Sequence, residues 1–191
     1  ANAGETLPLP LVVKVSKDDG SGFANYPVKF NVTLGDGTVK NVNGPEEGGV
    51  ITINTDANGL AQVYWTLDPQ VGNDNQVTVE APAVAGSGFT FSAVGTLGPP
   101  EKFTKVSGDN QQGPILMELQ DPFVVRVTDK HDNPIAGHKV TFNKAAGSNA
   151  KLINPLDPVA APDTFLVAYT DVNGEAKAKL IMVNQIGELH Q

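Results

Sequence analysis

One feature constrains this chain more than any other: it repeats itself. Residues 9–31 read LPLVVKVSKDDGSGFANYPVKFN, and residues 121–143 read DPFVVRVTDKHDNPIAGHKVTFN, 112 positions later with no gap. Pro10, Val12, Val13, Val15, Ala24, Val28, Phe30 and Asn31 recur as Pro122, Val124, Val125, Val127, Ala136, Val140, Phe142 and Asn143. A second block, Thr55-Asp56-Ala57-Asn58-Gly59, returns as Thr170-Asp171-Val172-Asn173-Gly174 at an offset of 115. Two collinear matches at nearly one offset mean a duplicated domain, since self-similarity on this scale reflects a repeated structural unit. The boundary is expected at Leu97-Gly98-Pro99-Pro100, a short stiff linker, giving domains 1–98 and 99–191.

The shared residues are strand-like. Val28, Phe30, Val32 and Leu34 alternate with Lys29, Asn31 and Thr33, the pattern of a half-buried strand. Ala61, Val63, Trp65 and Leu67 do the same, and Ala176, Ala178, Leu180 and Met182 take their place in the second copy. Val77, Val79 and Ala81 predict a further strand, as do Phe89, Phe91 and Ala93. Asn58-Gly59 and Asn173-Gly174 predict hairpin turns, because Asn-Gly tolerates positive φ. Strands between frequent turns, with no 3.6-residue periodicity, predict an all-β fold: two tandem immunoglobulin-like antiparallel sandwiches.

Composition narrows the function classes. The 191 residues are 40% hydrophobic, enough for a packed core and unlike a disordered chain. The formal charge is −8, with no lysine or arginine cluster to neutralise phosphates, so nucleic acid is not an expected partner. There is no cysteine, hence no inter-sheet disulfide of the antibody kind, which fits a bacterial or archaeal surface protein or a cytosolic one. No stretch approaches the ~20 apolar residues of a membrane span. Ala1-Asn2-Ala3-Gly4 reads as a mature end or as a cut in a longer chain.

PLVVKV, PVKFNV, TDANGLAQVYWTL, NQVTVEA and FTFSAVGT in the first copy resemble bacterial immunoglobulin-like (Big-1-like) repeats of the intimin and invasin type. The second copy resembles them through VSGDNQQGP, DPFVVRVTDKHDNPIAGHKVTF and TDVNGEAKAKL. The family's Asp-x-x-x-Asn-Pro-x-Ala-Gly turn is met by Asp129, Asn133, Pro134, Ala136 and Gly137. The first copy departs there, with Asp18-Asp19-Gly20-Ser21-Gly22, which leaves its loop conformation open. The resemblance implies extracellular repeats stacked as rods, acting as spacers, stalks or adhesive fibres. It also implies that any receptor-binding domain lies elsewhere.

Aligning the copies exposes an asymmetry. Glu101–Gly108 predicts an opening strand for the second domain that the first lacks. Conversely, the strands at Val77–Glu80 and Phe89–Val94 have no counterpart before Gln191, so the second domain lacks its last two. Two accounts stay open. The chain is a window on a longer array, or neighbouring chains supply the missing strands and build a filament.

No catalytic, cofactor-binding or metal-binding residue is predicted. His131 and His138 flank one loop and His190 sits near the chain end, without the nucleophile–base arrangement of a triad or the spacing of a zinc site. Asp56-Ala57-Asn58-Gly59 resembles a fragment of a calcium loop, but its repetition fits a turn that every domain needs. Calcium at a domain junction, using Glu46, Glu47 or Asp68, has no support in the pattern. Asp18-Asp19 and Glu46-Glu47 are adjacent pairs, not carboxylates set across a cleft. Gly35-Asp36-Gly37 is a turn with no helix after it to hold a phosphate. Trp65 lies on the inward phase of its strand, while Tyr64 and Tyr26 are the better surface aromatics. Asn31-Val32-Thr33 fits the glycosylation pattern but falls inside a strand.

The expected function is therefore non-catalytic: an extracellular or cell-surface structural or adhesive module, a stalk or filament segment of a bacterial surface protein. Its expected partners are neighbouring immunoglobulin-like domains or identical subunits, and a surface protein or glycan receptor. The alternative is a carbohydrate-binding or accessory module of a larger secreted enzyme, which exposed aromatics on one sheet face would mark. No cofactor is expected.

Overall fold

A computed structural model describes residues 1–146, 148–157 and 162–182. Among these residues the secondary structure is strands and turns, without helix. The chain divides into two compact units, Ala1–Gly98 and Pro99–Gln191.

The first unit is a sandwich of two four-stranded antiparallel sheets. One is ordered β1 (Leu11–Lys14), β6 (Leu60–Thr66), β3 (Thr38–Asn41) and β4 (Glu47–Gly48). The other is ordered β5 (Val50–Asn54), β2 (Pro27–Leu34), β7 (Asp74–Glu80) and β8 (Phe89–Val94). Period-2 alternation sends every second side chain between the sheets. Val39, Val63 and Trp65 meet Val28, Phe30, Val77 and Val79 there, and Phe30 is 0% exposed. Burying each of these large side chains contributes about 1.5–3 kcal/mol. Pro27 opens β2, a place in a central strand where a missing N–H is tolerated. The expected strands at Val77 and Phe89 are β7 and β8. Residues ahead of β1 also join the first sheet: Leu7 donates to the Trp65 carbonyl at 2.8 Å, and Gly4 to that of Asp68 at 2.8 Å.

The second unit repeats this plan in part. Its larger sheet is ordered β12 (Lys151–Ile153), β14 (Glu175–Ile181), β10 (Phe123–Thr128) and β9 (Lys102–Ser107). Its smaller sheet pairs β11 (Lys139–Asn143) with β13 (Phe165–Tyr169). β10, β14 and β12 occupy the places of β1, β6 and β3, and Leu119 donates to Leu180 at 2.8 Å as Leu7 does to Trp65. β9 pairs with the outer edge of β10, where the first unit has nothing beside β1 among the described residues. The core cluster is smaller, comprising Val127, Ile135, Val140, Ala168 and Ala176, with Val125 and Phe142 half-buried against it. Ala176 and Ala178 point inward as their phase predicts, whereas Met182, at the end of that run, is exposed.

Candidate functional site

The polar residues singled out by the sequence are bound up in turns. Asp56 Oδ1 accepts from Asn58 N and Leu60 N, both at 2.8 Å. Asp171 Oδ1 accepts from Asn173 N at 2.9 Å and Glu175 N at 3.0 Å. These are Asx turns at the two Asn-Gly pairs, and the same carboxylate oxygen does the work in each. Neither turn is the hairpin the sequence predicts: each joins strands of different sheets, β5 to β6 and β13 to β14, so the chain crosses between sheets there. The glycine is required at both. Gly59 has φ +78°, and a Cβ there would lie 2.3 Å from the Val15 carbonyl oxygen. Gly174 has φ +75° and the same approach, 2.4 Å, to the Val127 oxygen.

The loop left open by the sequence has one backbone in both copies. Asp129 N donates to Asn133 O at 3.0 Å, and Lys17 N donates to Ser21 O at 2.9 Å. In the second unit the buried Asp129 carboxylate holds the loop, accepting from His131 N at 2.9 Å and from Asn133 N at 3.0 Å. In the first, Asp19 does this, accepting from Ser21 N at 2.8 Å and Ser21 Oγ at 2.6 Å. Those bonds hold the Asp19 carboxyl below its ordinary pKa. The loop thus survives the loss of Asn-Pro because a neighbouring carboxylate supplies the turn.

A threonine latch, present in the repeat but not singled out by its pattern, recurs as well. Thr55 Oγ1 accepts from Tyr26 N at 2.9 Å and donates to Phe23 O at 2.5 Å. Thr170 Oγ1 accepts from His138 N at 2.8 Å and donates to Ile135 O at 2.5 Å. Both threonines are buried, so only their place in the repeat could have marked them.

Asp68 and Asn75 form a buried polar knot in the first unit. Asp68 accepts from Gln70 N at 2.7 Å, Asp36 N at 2.9 Å and Asn73 Nδ2 at 3.1 Å, while its own N–H donates to Asn75 Oδ1 at 2.7 Å. Burial pushes the Asp68 carboxyl up, but these hydrogen bonds outweigh it and hold the group below its ordinary range. Glu46 is held low by the Asn41 side-chain amide at 2.7 Å, and Glu47 pairs with Lys40 at 3.2 Å.

His131 and His138 sit in the second unit, and His131 Nε2 is buried without a hydrogen bond. His190 lies outside the described residues. Among the described residues no three His, Cys, Asp or Glu side chains converge on a metal position. Trp65 is in the core, 1% exposed. Tyr64 is on the outer face opposite Lys40, but the Tyr26 hydroxyl donates to the Pro82 carbonyl, and its ring meets Phe23 edge-on at 5.1 Å. Asn31 lies in β2, flanked by Val50 and Thr78 on its two sides.

One accessible feature is a sheet edge. β1 is the outer strand of its sheet, and Val12 is 45% exposed. Its counterpart Val124, in β10, is 6% exposed. Beside β1 runs an apolar groove of about 200 Å³ lined by Val13, Val15, Val28, Val79, Val84 and Phe89.

No protein-family profile and no curated protein matches the chain. Among solved structures, invasin, a bacterial integrin-binding protein, is 18% identical over 96% of this chain and 32% of that one, at a TM-score of 0.41. The Yersinia pseudotuberculosis adhesin InvE is 17% identical over 98% of this chain and 49% of its own, at 0.39. Trypsin-activated alpha-2-macroglobulin from Escherichia coli is 17% identical over 93% and 12%, at 0.33. The chain thus spans less than half the length of each of these proteins. The all-β reading rests on the sheets and registers above, not on likenesses of this size.

Proposed function

We propose that this chain is a non-catalytic structural or adhesive module of a bacterial surface protein, a stalk or filament segment outside the cell. The observation that carries the proposal is where its polar groups go. The two Asx turns, the two threonine latches and the Asp68–Asn75 knot all spend their hydrogen bonds on the chain's own backbone and side chains. Devices repeated in both units serve a building block that is copied, whereas a catalytic site needs to be built only once. The partners that fit are neighbouring immunoglobulin-like domains or identical subunits, joined by complementation of open sheet edges, together with a surface protein or glycan receptor. The Big-1-like sequence motifs support the surface setting.

Antibodies raised against the chain test the setting. Intact source cells should be labelled, and a brief external protease treatment should remove the label. Label released only on lysis would overturn the proposal.

A further inference from the structure

We propose that Asn43 is a self-modification site: its side chain cyclises onto the Gly44 nitrogen and hydrolyses to aspartate and isoaspartate, while the same residue pair at Asn58 and Asn173 is held inert by the fold. This chemistry requires nothing of the surface setting proposed above.

Asn-Gly occurs three times in the chain, at Asn43, Asn58 and Asn173. In such a pair no Cβ shields the backbone nitrogen that follows the asparagine. Once water or hydroxide takes its proton, that nitrogen attacks the side-chain carbonyl carbon. The new N–Cγ bond forms as the Cγ–Nδ2 bond breaks, and the amide group leaves as ammonia with a proton returned from water. Water then opens the ring at either carbonyl, giving aspartate or isoaspartate. The net change is one water consumed and one ammonia released, with nothing oxidised or reduced. Two conditions follow. The glycine N–H must have no acceptor holding its proton, and the chain must be able to turn about the asparagine Cα–C bond to bring that nitrogen to Cγ.

Two of the three pairs fail both conditions. Gly59 N donates to Asp56 O at 3.0 Å, and Gly174 N donates to Asp171 O at 2.9 Å. Asn58 N and Asn173 N are tied as well, to the Asp56 and Asp171 carboxylates at 2.8 and 2.9 Å. Both glycines are buried. A Cβ at Gly59 would lie 2.8 Å from the Gly22 Cα, and one at Gly174 would lie 3.3 Å from the Pro134 Cα. Neither turn can rotate without parting from the loop packed against it.

Asn43-Gly44 meets both conditions. It lies in the loop that joins β3 to β4, at the outer edge of the first sheet. Asn43 is exposed, and its own N–H is taken by Asn41 Oδ1 at 3.0 Å. The Gly44 N–H has no acceptor among the described residues. Asn41 N donates to Glu46 O at 2.8 Å, so the loop is closed outside the reacting pair. Pro45 brings no N–H that could tie the loop down further. The product has room here too, because isoaspartate lengthens the backbone by a methylene, which a surface loop absorbs and a packed turn does not. The new carboxylate would stand close to Glu46, whose own carboxylate lies beside Gly44. Each conversion therefore adds negative charge to an edge that already carries Glu46 and Glu47, and it marks a chain by its age.

The test holds the folded 191-residue chain in mildly alkaline buffer and follows each asparagine by peptide mapping and mass spectrometry. Conversion at Asn43 should run roughly tenfold or more ahead of Asn58 and Asn173, the scale of the hydrogen bond that each of those must break first. Fragmentation of the Asn43 peptide should show isoaspartate beside aspartate. In urea the three rates should converge, because the fold and not the local sequence separates them. Asn43→Gln should remove the fast phase of ammonia release, since glutamine closes a larger ring more slowly, with Trp65 emission unchanged. Equal conversion of the three pairs in the folded chain would overturn the proposal. So would an Asn43 that stays intact while the urea-unfolded chain converts, a difference that persists undiminished in urea, or a fast ammonia phase retained by Asn43→Gln.

Discussion

Asp56 and Asp171 make the same pair of backbone hydrogen bonds, yet Phe30 and Phe142, also a repeat-related pair, are buried to different degrees. The contrast runs through both units. Turns, latches and turn glycines match closely, because each depends on a few residues that both copies keep. Burial does not match, because it depends on which strands lie alongside. Phe30 has β5 on one side of its strand and β7 on the other, whereas β11, which carries Phe142, is paired with β13 alone among the described residues. At the opposite edge the difference reverses: Val124 is covered and Val12 is not. The two units therefore share their local chemistry while their sheet edges differ.

The sharpest way to break this comparison is to remove the two phenylalanines separately. Phe30→Ala should cost about 3–5 kcal/mol, the usual loss for a fully enclosed Phe. Phe142→Ala should cost about half that, since its site is part open. Urea unfolding reads the first through Trp65, the chain's single tryptophan and a reporter of the first unit alone; circular dichroism reads the second. Equal losses would mean that the Phe142 site is as enclosed as that of Phe30, and that the two units do not differ in burial at this position.

A smaller effect should be shared equally. Gly59→Ala and Gly174→Ala each force an L residue to positive φ and push a Cβ to within 2.3–2.4 Å of a carbonyl oxygen. Each should lose about 2–3 kcal/mol, the scale of a strained backbone position. A loss in one unit without the other would show that the shared turn geometry is not shared in energy.

Much of this was legible from sequence, for reasons that follow the same divide. Alternation placed Phe30, Val63 and Trp65 inward, and the Asn-Gly pairs marked turns, because period and turn chemistry are local signals. The threonine latch was illegible, since a single buried hydroxyl bridging positions 23, 26 and 55 leaves no periodic trace. The Asp18–Gly22 loop looked divergent but was not: Asp19 supplies from one position what Asp129 supplies from another. Tyr26 read as a surface aromatic, but its hydroxyl is tied to Pro82, a partner 56 residues away that no spacing rule connects to it. The groove beside β1 was equally hidden, because its walls come from three separated stretches of chain.

The smallest expected effect concerns acid, and it sharpens the comparison through two carboxylates held low for different reasons. Asp171 is lowered chiefly by the backbone N–H of Glu175, at a position water reaches, so solvent screens much of the gain. Asp68 is enclosed, and there burial opposes the charge while three hydrogen bonds more than restore it. A carboxyl whose folded pKa lies below its unfolded value, 3.8 for Asp68, stabilises the fold above that value. The contribution is lost as pH falls through the lower, folded pKa. Urea midpoints followed by Trp65 should therefore hold steady from pH 7 to about 5 and drop below about 4. Asp68→Asn should lower the midpoint at pH 6 and flatten that drop, since an amide has no proton to take up. Asp171→Asn should leave the Trp65-detected curve unchanged at every pH, because its turn belongs to the other unit. An acid limb that persists undiminished in Asp68→Asn would remove Asp68 as its source.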